Sequence, residues 1–142
     1  MNNEMTLTNR AALDISNDLN EGSSLWFSRE LKTLEDKISV YNAVNQADFT
    51  IKENVNKPIY MVDVVVSIGN QVDESGEVTD VPRICIFDKD GKTYHAMSWG
   101  VYRSICRIRS LFGTLHFDEP LKVVPAETKT KNGFALTLKI DK

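Results

Sequence analysis

The reactive side chains of this sequence are few. The two histidines, His95 and His116, follow neither HExxH, HxE nor triad spacing. Cys85 and Cys106 lie in apolar stretches without a CxxC pair or a neighbouring histidine. They read as buried thiols in a reducing compartment, not as a disulfide or a metal site. Asp88, Asp90 and Gly91 open like a calcium loop, D-x-D-G, but the distal glutamate is missing and a hairpin turn accounts for all three. Neither a GxxxxGK[ST] nor a GxGxxG phosphate loop is present. The expectation is a protein that is not an enzyme and carries no metal or other cofactor.

Aromatic rings interleaved with bases are a different matter. Arg83, Lys89, Lys92, Tyr94, Trp99, Tyr102, Arg103 and Arg107 follow one another between two sequence landmarks, a strand at 81–87 and the end of a helix near 112. Such a mixture suits unpaired nucleotides, whose bases stack on rings for about 1–3 kcal/mol each while cations track the phosphates. Core packing is the competing use of Trp99 and Tyr102. Tyr94 is expected to share a face with Ala96 and not with bulky core residues, because Thr93 and His95 point the other way. Lys129 and Lys131 sit in the last hairpin loop and read either as contacts or as a solvated turn.

The chain that must position these groups has 142 residues, 42% of them apolar and 26% charged, which fits one globular domain and excludes a disordered chain. No apolar run reaches the length of a membrane span, and the polar start MNNEMTLTNR has no secretory core; a cytoplasmic protein is expected. A net charge of −3 argues against coating duplex DNA by bulk charge. The charge is segregated, however. Residues 1–36 carry three bases against seven acids, whereas residues 83–110 carry six bases against two acids. Between them, residues 70–80 hold four acids and no base.

Periodicity supplies the elements. Leu7, Ala11, Ile15 and Leu19 recur every four residues and predict an acidic helical arm over residues 1–23, ahead of a domain at 24–142. Leu25, Trp26 and Phe27 read as a short strand or turn docked on that domain. KISVYNAV (37–44) alternates and reads as a strand, followed by a loop at 48–57 with an extended piece at 49–51. Strands are expected at 59–69 and 81–87, with Arg83 and Cys85 facing opposite to Ile84 and Ile86. A charged turn joins these two strands, and Asp90–Gly91 is expected to form a two-residue primed turn into a strand at 92–98. Ser98 caps a helix ending at Gly113, with Val101, Ile105, Ile108 and Phe112 on one face and Arg103, Arg107 and Ser110 on the other. Strands at 121–127 and 134–140, joined at 131–133, complete the chain, with Phe134, Leu136, Leu138 and Ile140 sharing a face. Three strands, one helix and two strands is the order of an OB-fold, a five-stranded Greek-key barrel, so the fold class expected is all-β with one helix plus the N-terminal helical arm.

Three stretches, TLEDKISVYNAVN (33–45), IFDKDGKTYHAMS (86–98) and LKVVPAETKTKNGFALTLKI (121–140), resemble the single-stranded DNA-binding proteins of small protein-primed Bacillus phages and related mobile elements. The resemblance covers roughly residues 33–140. It implies a protein that coats exposed strands during replication, largely without regard to sequence, with replication proteins such as a DNA polymerase as further partners. It also implies a stacking role for Tyr94, which matches an aromatic position of the family. Relatives carry tyrosines around the end of the second strand and its turn, whereas Ile68–Val78 here has no aromatic and three acids. That shifts the expected contacts toward Tyr94, Trp99 or the Trp26–Phe27 pair. The expected ligand site is Tyr94 with Arg83, Lys89, Lys92, Trp99, Arg103, Arg107, Lys129 and Lys131. The competing class is a protein-interaction module whose acidic arm recognises a basic partner or mimics DNA, and the same arm is a candidate for homo-oligomer contacts.

Overall fold

In a computed structural model, which describes residues 25–131 and 133–141, a curled sheet carries two helices. The expected N-terminal arm lies outside the described residues. The elements are β1 (Leu25–Phe27), α1 (Leu34–Asn45), β2 (Phe49–Thr50), a 3-10 turn (Lys52–Asn54), β3 (Ile59–Val72), β4 (Val78–Asp88), β5 (Thr93–Met97), α2 (Trp99–Phe112), β6 (Leu121–Thr130) and β7 (Gly133–Ile140). The strands run in the order β2-β5-β4-β3-β6-β7. β6 pairs with β3 only at Ile59–Met61, and β1 pairs with β3 further on, at Val65–Ser67. Among the described residues no strand pairing joins β5 to β7, so the sheet is a half barrel with an open seam.

One irregularity in β3 organises both faces of the sheet. Opposite adjacent residues Phe87 and Asp88 of β4, β3 places Asp63 and Met61, so Val62 is an extra residue. A bulge of this kind reverses the phase of side-chain alternation. Ile59 and Met61 before it, and Val64 and Val66 after it, therefore enter the same core with Ile84, Ile86, Ile105 and Val123. Val65 and Cys85 point the other way and are covered by Val40 and Ala43 of α1. Arg83 and Cys85 thus do face opposite to Ile84 and Ile86. Burial pushes the Cys85 thiol up to about 12, which makes it an inert packing group.

The segment expected as a strand at 37–44 is helix α1. The side chain of Thr33 accepts a hydrogen bond from the Asp36 backbone N–H, and Glu35 and Asp36 lie in the first turn where the helix dipole favours acids. This cap precedes a helix that buries only Val40 and Ala43. The fold class is therefore mostly β with two helices, not one. Helix α2 matches expectation at both ends: Ser98 accepts from the Val101 N–H, and Gly113 is left-handed at φ 76°. Phe112, expected on its buried face, is half-exposed and packs edge-on against Phe117.

The expected two-residue primed turn at Asp90–Gly91 is instead a three-residue loop. The Gly91 N–H donates to the Asp88 carbonyl, the Asp88 N–H to the Lys92 carbonyl, and only Gly91 has positive φ. The Asp88 side chain accepts from the N–H groups of Asp90 and Lys92, which fixes the loop. The β3–β4 connection repeats this device, with Asp73 accepting from the N–H groups of Ser75 and Glu77, and with Gly76 left-handed.

Asp63, beside the bulge, is 6% exposed and accepts hydrogen bonds from Ser28 Oγ (2.8 Å) and Arg29 Nε (3.1 Å), while His116 Nδ1 approaches to 2.8 Å. Arg29 also forks onto both Asp36 oxygens. This pairing raises the Arg29 pKa and holds the Asp36 carboxyl down to about 2. Asp63→Ala leaves the half-buried donors without their acceptor and is expected to lower unfolding free energy by about 2–4 kcal/mol in urea titration. Because the folded-state value of Asp36 is depressed, its stabilisation is full above the ordinary carboxylate range and is lost as pH falls toward about 2. Asp36→Asn should flatten that part of the acid-unfolding profile.

Candidate functional site

The open seam is a groove. One wall is Thr50 and Lys52 with His95 and Met97 of β5, the other is Glu127 of β6 with Phe134 and Leu136 of β7, and its volume is about 420 Å³. Its end is set by the start of α2, where Ser98 and Gly100 contribute to the lining. A Cβ at Gly100 would collide with the Leu136 carbonyl oxygen, so glycine lets the helix touch the backbone of β7. Ser104, one turn on, accepts from the Leu138 N–H at 3.1 Å and donates to the Gly100 carbonyl at 3.0 Å. These two small residues hold β7 to the helix instead of to β5.

The expected site residues fall in separate places. Tyr94 of β5 pairs with Ile86 of β4 and packs against the main core, contrary to the expectation that it avoids bulky core residues. The register places it on the core face, where its ring stacks on Phe49 of β2 at 5.2 Å between centroids. Burial and the nearby Asp88 carboxylate raise its phenol pKa. Lys89 and Lys92 are exposed in the adjoining loop, with the Lys89 ammonium 4.7 Å above the Tyr60 ring. Arg83 lies on the opposite sheet face from Tyr94, and its Nε is buried without a hydrogen-bond partner. Trp99, Arg103 and Arg107 are exposed on the outer side of α2, with the Arg103 guanidinium 6.0 Å from the indole centroid; Tyr102 is core. Lys129 and Lys131 are exposed at the β6–β7 turn, and Lys129 pairs in register with Phe134. The Trp26–Phe27 pair is engaged in packing: Arg109 covers Trp26 at 5.0 Å, and Phe27 meets Phe87 edge-on.

Three groups went unread in the sequence. Phe134, assigned by alternation to a shared apolar face, is 71% exposed at the mouth of the groove. Phe49, 41% exposed, joins Tyr94 through a parallel pairing between distant segments. His95 lines the groove one residue beyond Tyr94. Tyr94–Phe49, then His95–Thr50, then Lys52 and Phe134 follow one another along the β5 edge.

His95 Nδ1 is buried without a hydrogen-bond partner. Burial first, and Arg83 second, depress its pKa, with Glu53 opposing. Glu53 is itself held low by its hydrogen bonds from Thr50.

This is a small, mostly β domain with an open, ring-flanked surface groove, not an enclosed reaction chamber. Among the described residues no group of three or more His, Cys, Asp or Glu is placed to hold a metal ion, and no helix is long and apolar enough to cross a membrane. Residues 23–141 match the family described as Phage Single-stranded DNA-binding protein, of the Phi29 type, and the chain belongs to that family. No curated protein and no solved structure matches the chain.

A histidine whose folded-state pKa is depressed leaves the unfolded chain binding more protons below pH 6.5. Stability should therefore fall as pH drops from about 6.5 toward the folded value, and His95→Gln should reduce that slope in urea midpoints measured between pH 7 and pH 5.

Proposed function

We propose that this protein binds single-stranded DNA without catalysis, coating and protecting exposed strands during replication of a phage or mobile element, with little regard for base sequence. Membership of the phage single-stranded DNA-binding family carries this reading. The strand order supports reading β3–β7, with α2 between the third and fourth of these strands, as a Greek-key OB barrel left open at its seam. On this reading residues 24–142 are the binding domain, in the host bacterial cytoplasm, and a replication polymerase is a further partner. Residues 1–23 remain the candidate for homo-oligomer contacts.

The strand path we infer runs along the β5 edge, from the Phe49–Tyr94 stack to Phe134. Bases stack on Phe134 and on the outer face of Phe49, which Tyr94 supports from behind. Lys52, Lys89, Lys92 and Lys129 flank this path and neutralise phosphates. Stacking is tolerant of sequence because every base presents a π face.

Fluorescent oligothymidine and a duplex of equal length test this directly. Retention of the single strand alone is expected, with log affinity falling against log salt by about 0.7 per phosphate contacted. Equal retention of the duplex, or affinity unchanged by salt, overturns it. Phe134→Ala should weaken single-strand binding by about 1–3 kcal/mol while leaving the thermal midpoint nearly unchanged. Tyr94→Ala should weaken binding and lower stability together, because that ring also closes the core.

A further inference from the structure

The β3–β4 hairpin projects beyond the domain as a ribbon whose residues 70–80 are all exposed. Its composition does not suit a polyanion. From Gly69 to Pro82 there is no base, and Asp73, Glu74, Glu77 and Asp80 cluster at its end. Its backbone is nevertheless held firmly, by an unbroken ladder from Ile68–Pro82 to Val72–Val78 and by the Asp73-capped turn. One face continues the side-chain phase of core residues Val64 and Val66. On it Ile68, Val72 (65% exposed) and Val78 (60% exposed) are solvated apolar side chains, with the Asn70–Asp80 pair between Ile68 and Val72–Val78. Exposed apolar groups set around a charge on one rigid face are the composition of a contact surface.

The complementary surface is on the same molecule. Helix α2 contains no acid. Its outer side presents Trp99, Arg103 and Arg107, and ends at Leu111, which is 83% exposed. Beyond Gly100 no residue of α2 lines the seam, so this side is separate from the groove. Among the described residues no ion pair engages Glu74, Glu77, Asp80, Arg103 or Arg107.

We propose that the acidic, apolar ribbon of one copy docks on the basic, apolar outer side of α2 of the next copy. Ile68, Val72 and Val78 meet Trp99 and Leu111, Asp80 on the same face meets Arg103 and Arg107, and Glu77 at the turn end adds to the acidic field they meet. The two patches differ, so the contact is head to tail and a docked pair keeps one free ribbon and one free helix side. Copies therefore add in a row and do not close as a two-fold dimer. The contact does not depend on DNA, and its test needs none.

The test is a charge exchange in the full chain, read by sedimentation equilibrium over a concentration series at low salt. Wild type should gain average mass with concentration and lose that gain as salt rises, since exposed charge pairs are screened. Glu77→Lys with Asp80→Lys gives a copy with two basic patches, and Arg103→Glu with Arg107→Glu gives one with two acidic patches. Each alone should associate about tenfold or more weakly, because like charges now oppose each other. An equimolar mixture should recover the wild-type gain, since opposite patches meet again. All four positions are exposed, and circular dichroism of each variant verifies its fold. A wild-type mass independent of concentration, variants that associate like wild type, or a mixture that fails to recover, overturns the proposal. So does a result in which reversing Arg103 and Arg107 leaves association intact and abolishes oligothymidine retention, which assigns that side of α2 to nucleic acid.

Discussion

The Asp63 carboxylate is the constraint on which the rest of the domain depends. A carboxylate this deeply buried is costly unless donors surround it. Here they come from two separate parts of the chain, Ser28 and Arg29 after β1 and His116 between α2 and β6, and Arg29 carries the link on to Asp36 in α1. The adjacent bulge residue uses its backbone for the same end, since the Val62 carbonyl accepts from the Phe117 N–H at 2.9 Å. One place in β3 thus sets the docking of β1, the first helix and the loop that carries the chain into the last hairpin. The phase reversal at Val62 complements it. Without the extra residue, Ile59 and Met61 could not share a core with Val64 and Val66.

A second constraint acts at the other end of the sheet. β7 is bonded to β6 on one side and seated on α2 on the other, where Gly100 and Ser104 admit its backbone. A strand seated in this way is held away from β5, and the seam follows. The groove is therefore a consequence of two small helix residues, and its rings need no cavity of their own. They stand at its edges because the core volume is already filled by Ile84, Ile86, Ile105 and Val123.

What could be read from the sequence was whatever is decided locally. α2 is bounded by a serine cap and a left-handed glycine, and its apolar residues repeat at helical spacing, so its ends and its basic outer side were legible. The positions of the hairpins were legible from Asp and Gly, but not their geometry, because a primed turn and a three-residue loop draw on the same residues. α1 carries a strand-like alternation of Ile38, Val40 and Asn42 with Ser39, Tyr41 and Ala43, whereas the deciding signal is Thr33 three residues before Asp36. The site was less legible than the fold. Tyr94 was placed on a solvent-leaning face because its register partner, Ile86, is not visible from β5 alone. Phe49 needs a parallel pairing across more than forty residues of chain. Phe134 obeys the alternation of β7 and yet escapes burial, because at its second residue the strand has not reached the helix that meets it at Leu136 and Leu138.

The placement of charge explains how an anionic protein can serve an anionic ligand. At physiological salt the screening length is about 8 Å, so a phosphate senses the groups beside it and not the total of −3. The acids on the β3–β4 ribbon therefore do little to phosphates at the seam, but they would strongly disfavour a strand laid along the ribbon itself. The lysines at both ends of the β5 edge have the opposite local effect. Segregation thus does two things at once. On the proposed reading it favours the seam as the course of a polyanion and leaves the ribbon to a basic surface. A basic surface that every copy brings with it is the outer side of α2, which becomes concentrated around each ribbon where the proposed coating sets copies side by side on one strand. The contact that free molecules make as their concentration rises is strengthened where the molecules are already neighbours.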